Sequence, residues 1–213
     1  MPRDPHRDQP VLLAGAPPAE AVGALVLLHG RGGSAQDMLA LARELDRPRF
    51  AWYVPEAAGR QWYPYSLLEK LERNQSYLNS GLGLLKRVLG RIEAVPMAAE
   101  RVVWLGFSQG ACLALEFAAR NARRYGGVVA LSGGFLGPEG TPREYPGSFD
   151  STPVFLGSGD MDPNIPKRRV DEAAAVLERM GAAVTRRTYP GLGHSTHPDE
   201  LVAVRAMLDA IDR

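Results

Sequence analysis

Residues 102–115 read VVWLGFSQGACLAL, and this stretch changes character at its centre. The β-branched, aromatic and aliphatic residues up to Phe107 form a continuous apolar run of the length of a buried strand. From Gln109 to about Arg124 the pattern is helical. Between them stands one hydroxyl, Ser108, in the frame G-x-S-x-G. A sharp strand-to-helix turn of this kind holds its middle residue in a strained conformation, with the side chain projecting beyond the sheet end. The flanking glycines are required where strand and helix approach closely. The plainer alternative is a serine in a tight turn or at a helix N-cap. The pentapeptide alone does not separate the two, but its setting between a strongly apolar strand and a small-residue helix start favours an exposed nucleophile.

The same alternation extends in both directions. ALVLLH (24–29), FAWYVP (50–55), RVVWLGF (101–107), GGVVALSG (126–133), TPVFLGSG (152–159) and AVTRRTYP (183–190) read as strands, the last more polar and so nearer an edge. Helices are expected from Ser34, with Asp37 as capping-box partner, and along the stripe Leu78, Leu82, Leu85, Leu89 and Ile92, which stops before Pro96. A further helix opens at Pro166, carries Val170, Ala174, Leu177 and Met180, and ends at Gly181. The last follows Pro198, with Leu201, Val204, Leu208 and Ile211. Apolar strands alternating with amphipathic helices specify an α/β protein, a mostly parallel central sheet covered on both faces. Ligands of such sheets sit beyond the carboxyl ends of the strands.

The 213 residues suit a single domain, expected over 11–213, after a proline-rich segment 1–10 expected to be mobile. Lysine and arginine number 25 against 24 aspartates and glutamates, which removes the electrostatic argument for a nucleic-acid or anionic-membrane partner. No apolar run reaches membrane-span length and MPRDPHRDQP is not a signal peptide, so a cytoplasmic protein is expected. The single cysteine, Cys112, allows no intrachain disulfide and no cysteine-based metal cluster.

A serine hydroxyl needs a base to take its proton. Of four histidines, His6 lies in the expected tail and His29 ends the first apolar strand. His194 and His197 follow the last strand in YPGLGHSTHP, where a nucleophile-elbow hydrolase carries its histidine. His194 stands in a glycine-flanked loop able to reach across the sheet ends; His197 precedes proline and suits a helix start. The orienting acid belongs between serine and histidine, after a strand, which leaves Asp160 and Asp162. One of them orients the imidazole and the other holds its own loop, and spacing does not choose between them. HGRGGS (29–34) supplies a loop from which an N–H can face an oxyanion, together with the N–H of Gln109. Gly30, Gly32 and Ala35 also fit the dinucleotide fingerprint, with Glu56 where a ribose-binding acid belongs. That reading leaves GFSQG, the aspartate loop and His194 unexplained.

LVLLHGRGGSAQDM, QWYP, GFSQGACLAL, GSGDMDPNIP and YPGLGHSTHP together resemble the small bacterial phospholipase/carboxylesterase family. This branch of the α/β-hydrolases is similar to acyl-protein thioesterases and, more distantly, to dienelactone hydrolases. The similarity runs from about Gly15 to the C-terminus. It implies an α/β-hydrolase fold and an acyl-enzyme on Ser108, a mechanism that needs no metal or organic cofactor; no connection in the sequence is long enough for a large lid. It also implies Asp162, directly before proline, as the triad acid, and the N–H groups of Arg31 and Gln109 as oxyanion donors. A dienelactone hydrolase carries cysteine at the nucleophile position; Ser108 there favours carboxylic esters or thioesters. Cys112 then reads as a small buried packing residue.

The expected substrates are small to medium esters. Trp62, Tyr63 and Tyr65 lie after the second strand and Phe135 with Leu136 after the fourth. Trp62, Tyr63 and Phe135 are candidates for the pocket, the alternative being that they seal loop onto sheet. Relatives in the family often form dimers, so a homodimer is compatible with this reading. Two other classes stand beside the hydrolase: a hydrolase-fold binding protein without turnover, and a dinucleotide-dependent oxidoreductase using GRGGSA.

Overall fold

The computed structural model describes residues 4–213. Seven strands form one sheet: β1 (Val11–Gly15), β2 (Gly23–Leu28), β3 (Phe50–Pro55), β4 (Val102–Phe107), β5 (Gly127–Leu131), β6 (Pro153–Gly159) and β7 (Ala183–Tyr189). Their spatial order is β1-β3-β2-β4-β5-β6-β7. Only β1 runs antiparallel, against β3 in the register Val11↔Pro55; the other pairings are parallel. Five α-helices among the described residues cover the sheet: α1 (Ala35–Leu45), α2 (Leu71–Glu93), α3 (Gln109–Arg120), α4 (Lys167–Arg179) and α5 (Pro198–Asp212).

Alternation along each strand divides the core in two. Ala24, Val26 and Leu28 of β2 and Trp104 of β4 face α2, α3 and α4, where Leu85, Phe117 and Leu177 meet them. Leu25, Leu27, Val103 and Leu105 face α1 and α5, against Met38, Leu45 and Leu208. Both faces of β2 and β4 are buried, which is why these strands read as continuous apolar runs. β7 lies at an edge with most residues exposed, as its polar sequence implies. Among the described residues no helix is long and apolar enough to cross a membrane.

The local signals act as expected at the helix starts. Ser34 caps α1 and shares a reciprocal capping box with Asp37. His197 caps α5, its side chain accepting from the Asp199 N–H while Glu200 accepts from the His197 N–H. Three expectations need correction. β1 is a seventh strand beyond the six expected, its apolar VLLA only four residues long directly after the proline-rich segment; pairing with β3 makes it a strand. Helix α3 stops at Arg120 rather than about Arg124. The Asn121 side-chain amide donates back to the Phe117 carbonyl, and the buried Tyr125 hydroxyl donates to the Asn121 carbonyl. Residues 4–10 are not a free tail. His6 is fully buried, and the Pro10 carbonyl accepts from the Glu56 N–H beside β1. The connection 132–152 turns Phe135, Leu136 and Phe149 into the core, and among the described residues no large lid covers the carboxyl ends of the strands.

Candidate active site

Ser108 sits at the β4–α3 junction with φ 53° and ψ −118°, a conformation rarely adopted by a non-glycine residue. Its N–H donates to the Leu131 carbonyl of the neighbouring strand, which anchors the turn against the sheet. The turn is possible because Gly106 and Gly110 carry no side chains. A Cβ on Gly106 would lie 2.3 Å from Gly110 backbone, and one on Gly110 would lie 2.1 Å from the Leu28 carbonyl oxygen.

Ser108 Oγ lies 2.8 Å from His194 Nε2. The other ring nitrogen, Nδ1, lies 2.7 Å from Asp162 Oδ2. An ionised carboxylate only accepts, so the imidazole proton belongs on Nδ1 and Nε2 is left to accept from the serine hydroxyl. Asp162 Oδ1 accepts from the Asn164 and Ile165 N–H groups. Burial pushes the Asp162 carboxyl upward, but the hydrogen bonds from His194, Ile165 and Asn164 outweigh it and hold the pKa below the usual aspartate value. The Phe107 ring lies 5.1 Å from the imidazole, centroid to centroid, limiting its rotation. Asp160 points elsewhere: its Oδ1 accepts from the Gly191 N–H and ties the loop after β6 to the loop after β7. His197 stacks on Tyr189 and makes no contact with Ser108.

The two expected oxyanion donors lie on the loop after β2, for Arg31, and at the first residue of α3, for Gln109. Neither the Arg31 N–H nor the Gln109 N–H is used in a hydrogen bond among the described residues. Both side chains grip the same loop. The Arg31 guanidinium donates to the carbonyls of Tyr63, Pro64 and Tyr65 and to Gln61 Oε1. The Gln109 amide accepts from the Trp62 N–H and donates to the Tyr63 carbonyl. Arginine's planar fork with five donors suits such a clamp.

A cleft of about 580 Å³ opens over Ser108 and His194, bordered by Tyr63, Tyr65, Leu67 and Ile165. Of the three pocket candidates, only Tyr63 borders it. Trp62 is completely buried, donates through Nε1 to the His29 carbonyl and packs on the His29 ring. Phe135 is buried against Tyr145. Trp62 and Phe135 therefore seal loops onto the sheet. Leu67 and Ile165 were not singled out from sequence, although Ile165 is the one aliphatic residue of DPNIP and so carried a signal. Cys112 is buried, with a thiol pushed up by burial, and accepts from the Gly134 N–H.

The loop that resembles a dinucleotide fingerprint is already filled. Glu56 Oε2 accepts from the Ala35 N–H at 2.6 Å, so a side-chain carboxylate occupies the start of α1 where a phosphate would sit. The Gly32 and Gly33 N–H groups donate to the Arg60 and Gly30 carbonyls. No group of three or more histidine, cysteine, aspartate or glutamate side chains that could hold a metal ion occurs among the described residues.

A family profile described as Phospholipase/Carboxylesterase matches residues 10–211. The crystal structure of a phospholipase/carboxylesterase from Dyadobacter fermentans is 42% identical in sequence, with a TM-score of 0.90, and the match covers 97% of each chain. Acyl-protein thioesterase 1 of Gibberella zeae is 37% identical over 112 residues, 51% of this chain and 47% of that protein. Acyl-protein thioesterase 1 of Cryptococcus neoformans is 28% identical over 222 residues, covering 90% of this chain and 93% of its own length. The chain spans about half the length of the first curated relatives it matches.

Proposed function

This chain belongs to the phospholipase/carboxylesterase family, and on that premise we propose that it is a serine hydrolase cleaving small to medium carboxylic esters through an acyl-enzyme on Ser108. The observation that carries the proposal is the unbroken relay Asp162–His194–Ser108, with links of 2.7 and 2.8 Å. Ser108 Oγ attacks the ester carbonyl carbon as its proton passes to His194 Nε2. Asp162 holds the tautomer and stabilises the imidazolium. The oxyanion accepts from the N–H groups of Arg31 and Gln109, two fixed donors that need no reorganisation as charge develops. Collapse breaks the bond to the alcohol, which leaves with the proton from His194. Water then attacks the acyl-enzyme through the same base and regenerates Ser108.

The open cleft bordered by Tyr63, Tyr65, Leu67 and Ile165 supports a compact acyl or alcohol group and no interfacial activation. A thioester fits the same mechanism, with a thiol as leaving group. A hydrolase-fold binding protein without turnover is the competing reading; occupation of the α1 start by Glu56 weighs against the dinucleotide reading.

Incubation with a small fluorophosphonate, followed by intact mass and peptide mapping, tests the proposal. A single adduct on Ser108, lost in Ser108→Ala and strongly slowed in His194→Ala, is expected. No adduct on folded protein would replace the hydrolase with the binding-protein reading. Matched ester and thioester chain-length series then define the leaving group and acyl length.

A further inference from the structure

The N-terminal segment reaches the loop that grips both oxyanion-donor residues. The His6 side chain is buried under it, with its two ring nitrogens satisfied by the loop backbone. Nδ1 accepts from the Ala58 N–H at 3.1 Å, and this fixes the proton on Nε2, which donates to the Trp62 carbonyl at 3.0 Å. The ring packs on Trp62 and edge-on to Tyr77 of α2. The strap is itself pinned to α2. The His6 N–H donates to Ser80 Oγ, Ser80 donates to Asp4, and Arg87 donates to the carbonyls of His6 and Arg7.

The loop beyond His6 is held from the other side by Gln109 and Arg31. Trp62 is the shared residue: its carbonyl accepts from His6 and its N–H donates to the Gln109 side chain. The next carbonyl, of Tyr63, takes both the Gln109 amide and the Arg31 guanidinium. These contacts link residues 58–63 to the side chains of the two residues whose N–H groups face the oxyanion position. Positioning of donors at this level governs how well they meet a developing charge.

We propose that His6 is a positioning residue for the oxyanion site: it bolts residues 58–62 between helix α2 and the sheet end and thereby sets the Gln109 and Arg31 N–H groups. This inference rests on the ester-hydrolysis reading given above. The effect belongs to the transition state, so it acts on kcat more than on KM.

The test compares His6→Ala and His6→Gln with the wild-type chain. It uses p-nitrophenyl ester kinetics and amide hydrogen exchange of peptides covering residues 57–66. A glutamine keeps one acceptor for Ala58 and one donor for Trp62. His6→Ala is expected to lower kcat about tenfold with KM within about twofold, since it loosens rather than deletes donors whose outright loss costs about 10²–10³. Exchange protection over 57–66 should fall with it, and His6→Gln should recover most of both. Wild-type kcat in His6→Ala, even with a lowered melting temperature, would overturn the inference, as would a His6→Gln variant no better than alanine. Should wild-type protein neither turn over esters nor label at Ser108, the hydrolase reading fails by itself. Exchange then decides alone whether His6 holds the loop, unchanged protection in His6→Ala being the overturning result.

Discussion

Asp160 and Asp162 are two residues apart, equally polar, and follow the same strand, yet they sit in different electrical settings. Asp162 accepts from His194 and from two backbone N–H groups, whereas Asp160 accepts from Gly191. The two amide variants should therefore separate cleanly. Asp162→Asn presents an amide where an acceptor is needed, disfavours the Nδ1-protonated tautomer, and should lower kcat by about 10³–10⁴. Asp160→Asn keeps an oxygen for Gly191 and should change kcat less than about threefold, an effect below 1 kcal/mol. Steady-state kinetics on a chromogenic ester reads both. Equal losses would mean that Asp162 acts on the loop and not on the histidine. Trp62 and Phe135 carry the opposite lesson at this scale. Their aromatic faces suited a pocket, but each finds a better partner inside, a histidine ring and carbonyl for one and Tyr145 for the other.

At the level of elements, the β4–Ser108–α3 turn depends on how closely the helix approaches β2. A methyl at Gly110 would overlap the Leu28 carbonyl, and neither backbone can retreat because both belong to the buried centre of the fold. Gly110→Ala should destabilise the protein by about 3 kcal/mol or more in urea unfolding, at the upper end of overpacking penalties. Gly90→Ala, on the exposed side of α2 with open space around it, is the matched control. It should stabilise by about 0.5–1 kcal/mol through helix propensity and reduced unfolded-state entropy. A neutral Gly110→Ala would show that α3 can slide away from the sheet.

Across the whole molecule, Glu200 makes folding depend on pH, although it does not line the cleft. Its side chain is buried, one oxygen accepts from the His197 N–H, and the other has no hydrogen-bond partner. Burial, partly offset by the His197 hydrogen bond and reinforced by Asp199, raises its pKa from 4.5 to about 7. The folded protein thus holds this proton after the unfolded chain has lost it. The contribution is complete below about 4.5 and declines as pH rises to about 7. Glu200→Gln should remove this decline, raising stability relative to wild type at pH 8 compared with pH 4.5 by about 1–3 kcal/mol. His6 works in the other direction: burial lowers its pKa from 6.5, so acidification below that value favours the unfolded chain. Denaturant melts of both proteins across this range, taken as differences, isolate Glu200. Parallel curves would mean that it is ionised in the folded state.

What the sequence by itself determined is what short segments encode. Apolar runs marked the five strands β2 to β6 and a more polar, β-branched run marked β7; helical stripes marked the covering helices, and Ser34 and His197 marked helix starts. G-x-S-x-G at a strand end marked the turn, because steric limits on a strand-to-helix reversal act within a few residues. Chain order also brought serine, aspartate and histidine to the same sheet edge. The tertiary structure decided the rest. β1 is a strand only because β3 offers it an unpaired edge. Which aspartate faces His194 depends on the relative height of the loops after β6 and β7. Whether an aromatic lines the cleft or seals a loop depends on which neighbours its ring meets. His6, read as part of a loose tail, is buried because Ala58, Trp62 and Ser80, up to 74 residues away, supply the partners its polar atoms need. Each of these outcomes is a competition between distant groups for the same space and the same hydrogen bonds, and no local pattern records who wins it.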